Sequence, residues 1–352
     1  SRGLGDVYKR QGGPRYMASD IDKPLVSVIV PMYNVGMFAL PCVNSLLGQT
    51  YSNIEYIIVD DGCTDNTIDL IEDAVGSDTR FKILHKENGG LSSARNFGTQ
   101  RCHGDYVMYV DGDDLIDSRT VELMVEAADK YQVPLVIGSF AKTPVLDNYK
   151  IGQNVEFHVE SGIEHFRKLL LLTGESGSAC GKLFERSLIS DLVFPEGQLF
   201  EDMGVIANIC SKIQKVAFSD ACFYAYVTRP GSITTLKNQG SKHAKDMDRA
   251  IETVRQFTEP EFQGEFECFQ SFCTLRVAMR VDPDGFDNKA EAQNYLRNAR
   301  GLAWRASKNP YACSIWRLRC ALFSISPRVH NAFYALYLSL IHISEPTRRS
   351  YI

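Results

Sequence analysis

From Lys23 to about Phe140, short apolar runs alternate with amphipathic stretches. Residues 25–30, 54–59, 81–84, 106–110 and 135–137 are largely apolar and rich in β-branched side chains, as strands covered on both faces should be. Residues 38–47, 67–75, 92–99 and 118–131 lie between them and carry helical periodicity, with Asp65 and Ser118 expected as N-caps. Such a βαβα series predicts an α/β fold built on a doubly wound, mostly parallel sheet. The pattern then becomes mixed: a helix over 163–172, another over 201–213, and strands near Val216 and Phe223. Residues 245–257, 266–280 and 290–306 read as helices, so a helical C-terminal appendage is expected.

Ligands of doubly wound sheets bind beyond the carboxyl ends of the strands. The residues there are Pro31-Met32-Tyr33-Asn34 after the first strand, Asp60-Asp61-Gly62 after the second and Asp111-Gly112-Asp113-Asp114 after the fourth. Glycine lets the last of these turns bend while carboxylates on either side point to one spot, which suits a hard cation such as Mg2+ or Mn2+. An acidic turn that caps the next helix has the same composition, so this motif alone leaves both readings open.

It is one of five motifs in order. Val28-Ile29-Val30-Pro31-Met32-Tyr33-Asn34, Ser45-Leu46-Leu47-Gly48-Gln49-Thr50, Ile58-Val59-Asp60-Asp61-Gly62-Cys63-Thr64-Asp65 and Asn88-Gly89-Gly90-Leu91-Ser92-Ser93-Ala94-Arg95-Asn96 precede it. Together they resemble the family 2 glycosyltransferases, inverting enzymes of the GT-A fold, and the resemblance runs over roughly residues 24–234. It implies that Pro31 and Tyr33 line a nucleobase pocket with Asn34 beside them, that Asp61 accepts a hydrogen bond from the base, and that Asp60 shapes the pocket. Arg95 would contact the base or phosphates, with a salt bridge to Asp60 or Asp61 as the plainer alternative. Asp111 would sit near the ribose and the metal, Asp113 would bind Mn2+ or Mg2+, and Asp114 would cap the next helix. The catalytic base falls in the acidic pair Glu201-Asp202, with Asp202 favoured, since inverting transfer needs one carboxylate to take the acceptor proton. Arg229, in Tyr224-Ala225-Tyr226-Val227-Thr228-Arg229-Pro230-Gly231-Ser232-Ile233, would steady the diphosphate, and Lys182 would lie on the acceptor side. Gly181 stands where many relatives carry Asn, which puts the acceptor contacts in doubt.

Charge and the chain ends refine this picture. A formal net charge of -5 argues against a general nucleic-acid binder. The ten cysteines include no Cys-x-x-Cys pair and no secretory signal precedes or follows Met17, so reduced thiols in a cytoplasmic protein are expected. One legal coding of residues 1–11 has a reverse complement that encodes residues 338–348, and it resembles a transposase-based sequencing adapter. Residues 1–11 and 338–352 are therefore read as translated adapter and Met17 as the start. That leaves a GT-A domain over 17–240 and a helical region over 241–337, expected to be cut short. Residues 316–337 mix Arg317, Arg319 and Arg328 with Trp316, Leu322, Phe323, Ile325, Phe333 and Tyr337, a composition that can lie on an anionic membrane surface. Pro327 should break any single helix there. The expected partners are a nucleotide-sugar donor, UDP-linked by family resemblance, and a glycan or lipid-linked acceptor in surface polysaccharide synthesis. An oxidoreductase on a Rossmann sheet is disfavoured, because Pro-Met-Tyr-Asn-Val-Gly stands where Gly-x-Gly-x-x-Gly would be needed. The alternative that survives is a non-catalytic nucleotide-sugar-binding module.

Overall fold

The computed structural model describes residues 23–143, 155–173, 177–228, 240–280 and 283–344. The first half alternates as the apolar pattern requires: β1 (Val26–Met32), α1 (Ala39–Leu47), β2 (Ile54–Asp60), α2 (Thr67–Val75), β3 (Phe81–His85), α3 (Leu91–Thr99) and β4 (Tyr106–Tyr109). Strands β1 and β2 are buried at every position, so their continuous apolar runs are those of a sheet covered on both faces. Each fully buried Val or Ile there contributes about 1.5–3 kcal/mol. Strand β1 pairs in parallel with β2 and β4, and β2 in parallel with β3.

Beyond β4 the sheet becomes mixed. The chain continues through β5 (Leu115–Ile116), α4 (Thr120–Tyr131), β6 (Leu135–Thr143), β7 (His158–Ser161), α5 (Gly162–Leu171), β8 (Lys182–Glu185), α6 (Glu201–Lys212) and β9 (Lys215–Val227). The order is β3-β2-β1-β4-β8-β6-β9-β5, with β7 also on β9. Strand β8 is antiparallel to both β4 and β6, whereas β6 runs parallel to β9. Parallel pairing thus dominates the first half, and β8 inserts between β4 and β6, which are neighbours in the sequence pattern. The two strand signals near Val216 and Phe223 merge into β9, whose pairing with β6 is shifted around Ser139.

The helical appendage comprises α7 (Gly240–Gln256), α8 (Gln263–Arg280), α9 (Lys289–Ala306), α10 (Ser314–Ile325) and α11 (Pro327–Ser344). Met247, Ile251, Val254, Phe266 and Phe269 belong to the same hydrophobic cluster as the sheet, so α7 and α8 share its core. Leu275, Ala299, Ala303, Cys320 and Phe323 form a separate cluster under α9 and α10. Pro327 starts α11, where its missing N–H costs nothing, and separates it from α10.

The expected caps need correction. The Ser118 side chain does not cap α4; the Asp117 carboxylate accepts from Arg119 N–H at 2.9 Å, and no cap bond comes from the residue preceding the helix. Asn66, not Asp65, occupies the N-cap of α2 and makes no side-chain cap bond; Asp65, one residue earlier, accepts from Thr67 N–H at 3.0 Å.

Candidate active site

The turn after β4 is shaped by contact with β1. A Cβ on Gly112 would sit 2.3 Å from Met32 Sδ and 2.8 Å from the Pro31 carbonyl oxygen, so only glycine lets it press against the end of β1. Asp111 and Asp113 flank that contact. Asp114 turns inward, where its carboxylate accepts from Tyr224 O–H at 2.7 Å and from Val227 N–H at 2.8 Å. It therefore anchors β9 and does not cap the following helix, as the sequence had suggested. The Tyr224 hydroxyl also accepts from Asp111 N–H at 3.0 Å, holding the motif from the opposite side.

Helix α3 brings in the cation. Gly98 lets it lie close on the sheet: a Cβ there would come within 2.5 Å of Ile29 Cγ2. One turn earlier, Arg95 is 1% exposed and reaches three carboxylates. Its Nη2 donates to Asp111 Oδ1 at 2.9 Å, and its Nη1 donates to Glu201 Oε1 at 3.0 Å and Asp202 Oδ1 at 2.5 Å. Neither Asp60 nor Asp61 is its partner, so the salt bridge anticipated as the plainer alternative is replaced by one to a different set of acids. Arg95 Nε is buried with no hydrogen-bond partner.

Glu201 and Asp202 open α6, where acidic residues are favoured by the helix dipole. Asp202 is held twice, since its Oδ2 also accepts from Ala179 N–H at 2.9 Å. Lys182 lies in β8, fully buried, and its ammonium donates to the Ser178 carbonyl at 2.8 Å. It thus braces the loop whose Ala179 N–H grips Asp202. The sequence marks residues 179–184 as an acceptor-side segment but not the grip of Ala179 N–H on Asp202; the Tyr224 hydroxyl lies in the closing-segment motif, with no signal there for its bond to Asp114.

Electrostatics separate the acids. Burial raises the Glu201 carboxyl to about 8, with the neighbouring Asp202 charge adding to the rise and Arg95 opposing it. Burial likewise raises Asp114 to about 8, helped by the charges of Asp111 and Asp113. Burial pushes Asp111 upward as well, against the pull of Arg95.

The second strand end forms a neighbouring wall. Asp61 is buried and accepts from Gly89 N–H at 3.0 Å, Gly90 N–H at 2.7 Å and the Lys86 ammonium at 2.5 Å, bracing the turn that enters α3. Asp60 accepts from Cys63 N–H and meets His85 Nδ1, both at 2.8 Å. Pro31 is buried within β1, paired with Val59, while Tyr33 just past the strand is 48% exposed. Asn34, in a left-handed conformation, accepts from Thr64 N–H at 2.8 Å and ties the two strand ends together. Arg229 lies outside the described residues.

Among the described residues no group of three or more His, Cys, Asp or Glu is arranged to hold a metal. Asp111 and Asp113 supply two carboxylates, which fits a hard cation that completes its shell with water and substrate phosphate. No helix of the described residues is long and apolar enough to cross a membrane.

The family model described as "Glycosyl transferase family 2" matches residues 27–192. Glycosyltransferase GlyG of Streptococcus pneumoniae is 32% identical over 220 residues, 59% of this chain and 72% of that protein. The fold is similar to that of S. aureus TarS 1–349, solved in complex with UDP-GlcNAc, with a TM-score of 0.64 at 19% identity over 88% of this chain and 92% of that one. It is also similar to mannosyltransferase PcManGT of Pyrobaculum calidifontis, solved in complex with GDP-Man and Mn2+, with a TM-score of 0.55 at 17% identity over 92% and 91% of the two chains.

Proposed function

The chain belongs to glycosyl transferase family 2, and from that premise we propose that it transfers a sugar from a UDP-sugar to an acceptor hydroxyl with inversion. The observation that carries this reading is the Arg95 guanidinium, which joins Asp111 of the β4 turn to Glu201 and Asp202 of α6. It sets the donor-side acid and the acid pair on either side of one buried cation.

In this reading Tyr33 offers an exposed ring for the base to stack on, and Asp61 is the acceptor that orients it. Asp113 and Asp111 are the residues that would hold a divalent ion, Mn2+ or Mg2+, and such an ion would supply positive charge to the diphosphate leaving group. Asp202 takes the proton from the acceptor hydroxyl as that oxygen attacks the anomeric carbon in line with the leaving group. Glu201, whose carboxyl is raised by burial and by the neighbouring Asp202 charge, supports Asp202 as the second acid of the pair. Arg229 steadies the diphosphate, and Lys182 supports the acceptor side through the Ser178 loop. The donor assignment is supported by the UDP-GlcNAc held by the TarS neighbour, and the ion by the Mn2+ of the mannosyltransferase. We further infer a glycan or lipid-linked acceptor, a role in bacterial surface polysaccharide synthesis, and a cytoplasmic site of action at the inner face of the plasma membrane.

The test is a donor screen that scores nucleoside diphosphate release with Mn2+, with EDTA, and in Asp113→Ala. Slow hydrolysis of one donor that needs metal and disappears in the variant is expected. Donor binding without turnover, even with acceptors supplied, favours the non-catalytic module. A folded chain that binds no nucleotide sugar overturns both readings.

A further inference from the structure

The C-terminal helices segregate charge in a way that the transfer chemistry does not use. The chain is acidic overall, yet between Ala292 and Tyr337 there are seven lysines and arginines and not one aspartate or glutamate. Arg319 alone is buried, its guanidinium 3.9 Å from the centre of the Tyr334 ring. The other cations are exposed, and none pairs with a carboxylate among the described residues. Elsewhere Arg80, Lys82, Arg167 and Lys242 all sit against acids. Apolar groups concentrate in the same place: Trp304, Tyr311, Leu318, Ile325, Val329 and Leu336 are six of the ten exposed large hydrophobic residues among the described residues.

Helices α9 and α10 bring the two kinds of group together. Arg300 donates from Nε to the Ser324 carbonyl and from Nη2 to the Ile325 carbonyl, both at 2.9 Å, fastening the end of α10 to α9. Arg297, Arg300 and Trp304 follow one another along α9 at three- and four-residue spacing, so they share a face. With Gly301, Ser324 and Ile325 they line an open groove. The Lys308 ammonium lies 4.0 Å from the centre of the Trp304 ring, and Leu318 is seven residues from Ile325 on the same side of α10. Indole and aliphatic groups flanked by unpaired cations suit the boundary between headgroups and acyl chains. A nucleic acid would need cations tracking a backbone, and here apolar side chains project between them.

We propose that the α9–α10 face docks on an anionic phospholipid bilayer. This deepens the reading of a transferase at the inner face of the membrane and rests on it only for its biological sense. The vesicle binding stands on the surface itself.

The test is flotation of the full chain with vesicles of phosphatidylcholine alone and with one-third phosphatidylglycerol, at low and high salt. Recovery with the anionic vesicles, weakened by salt, and little with the neutral ones is expected. Replacing both cations in Arg297→Gln with Lys308→Gln lowers the partition coefficient about 25-fold, at about fivefold per cation. Trp304→Ala lowers it too, and Arg255→Gln on α7 leaves it unchanged. Equal recovery on both vesicle types, no recovery on either, or an unaltered double variant overturns the proposal. So does self-association through this face without lipid binding, read by sedimentation velocity. Donor hydrolysis by the same variants in solution separates the two readings. Lost vesicle binding with hydrolysis intact is the expected result; a wild type that floats but hydrolyses no donor overturns the transferase and leaves the docking face standing.

Discussion

Arg95→Met tests the centre of the site, because it removes the cation and keeps most of the volume. Three carboxylates lie within 3.0 Å of the guanidinium, which is buried. Removing one partner of a buried ion pair leaves uncompensated charge and costs about 3–5 kcal/mol. The acids can relieve that cost by taking up protons, each at about 1.4 kcal/mol per pH unit above its unfolded-state pKa. The sign follows. A carboxylate raised in the folded state binds more protons there than when unfolded, so its stability penalty grows as pH rises above the unfolded value. Glu201 already behaves this way in the parent, up to about 8. Without Arg95 at least one further acid joins it. Urea unfolding in EDTA should therefore show Arg95→Met less stable by about 3–5 kcal/mol at pH 8. The difference should shrink by about 3.4 kcal/mol on moving to pH 5.5, if one extra proton stays bound over those ~2.5 pH units. A deficit that is equal at both pH values, or below about 1 kcal/mol at pH 8, would show that the guanidinium does not neutralise buried acids.

Three further substitutions probe separate links. Asp202→Asn should lower kcat by about 100- to 10,000-fold with donor affinity retained, measured by steady-state kinetics beside calorimetric binding; an equal loss in Glu201→Gln would reassign the base. Gly112→Ala drives a Cβ toward Met32 Sδ at 2.3 Å, so it should cost about 1–3 kcal/mol in urea and displace the acidic turn, abolishing metal-dependent hydrolysis. Glu55 is held at about 2: burial opposes this, but the Lys82 ammonium, the Ser27 hydroxyl and the His103 N–H outweigh it. Its stabilisation is present above the unfolded value and lost as pH falls toward 2. Glu55→Gln should thus cost about 2 kcal/mol at pH 7, discounted for the half-exposed Lys82, and nothing near pH 2.

Much of this architecture was legible in local pattern. The boundaries of α2 coincide with the periodic stretch, and the parallel strands of the first half follow their apolar runs to within two residues at either end. Strand and helix periods are properties of a few neighbouring side chains, so they can be read before the fold is known. The motif residues at the strand ends were legible for a similar reason, since a doubly wound sheet delivers all its parallel carboxyl ends to one edge. Cap assignment was less legible. Ser118 and Asp117 are equivalent by composition, and only the backbone path decides which oxygen meets Arg119 N–H.

What the sequence by itself determined is thus the α/β series, the acidic turns and the acid pair that opens α6. Tertiary structure decided which of these charges meet. Arg95 is 106 and 107 residues from Glu201 and Asp202 and finds them only because α3 seats on the sheet through Gly98. It also decided that β8 enters between β4 and β6, antiparallel to both, which carries the Ser178 loop to Asp202. Asp114 was turned from the site to Tyr224, 110 residues away, and the tail was split so that Arg319 packs inward while Arg317 and Arg328 stay outside. Local propensity acts over a turn or two. The pairing of buried charges is settled by which distant groups can satisfy them once water has been excluded.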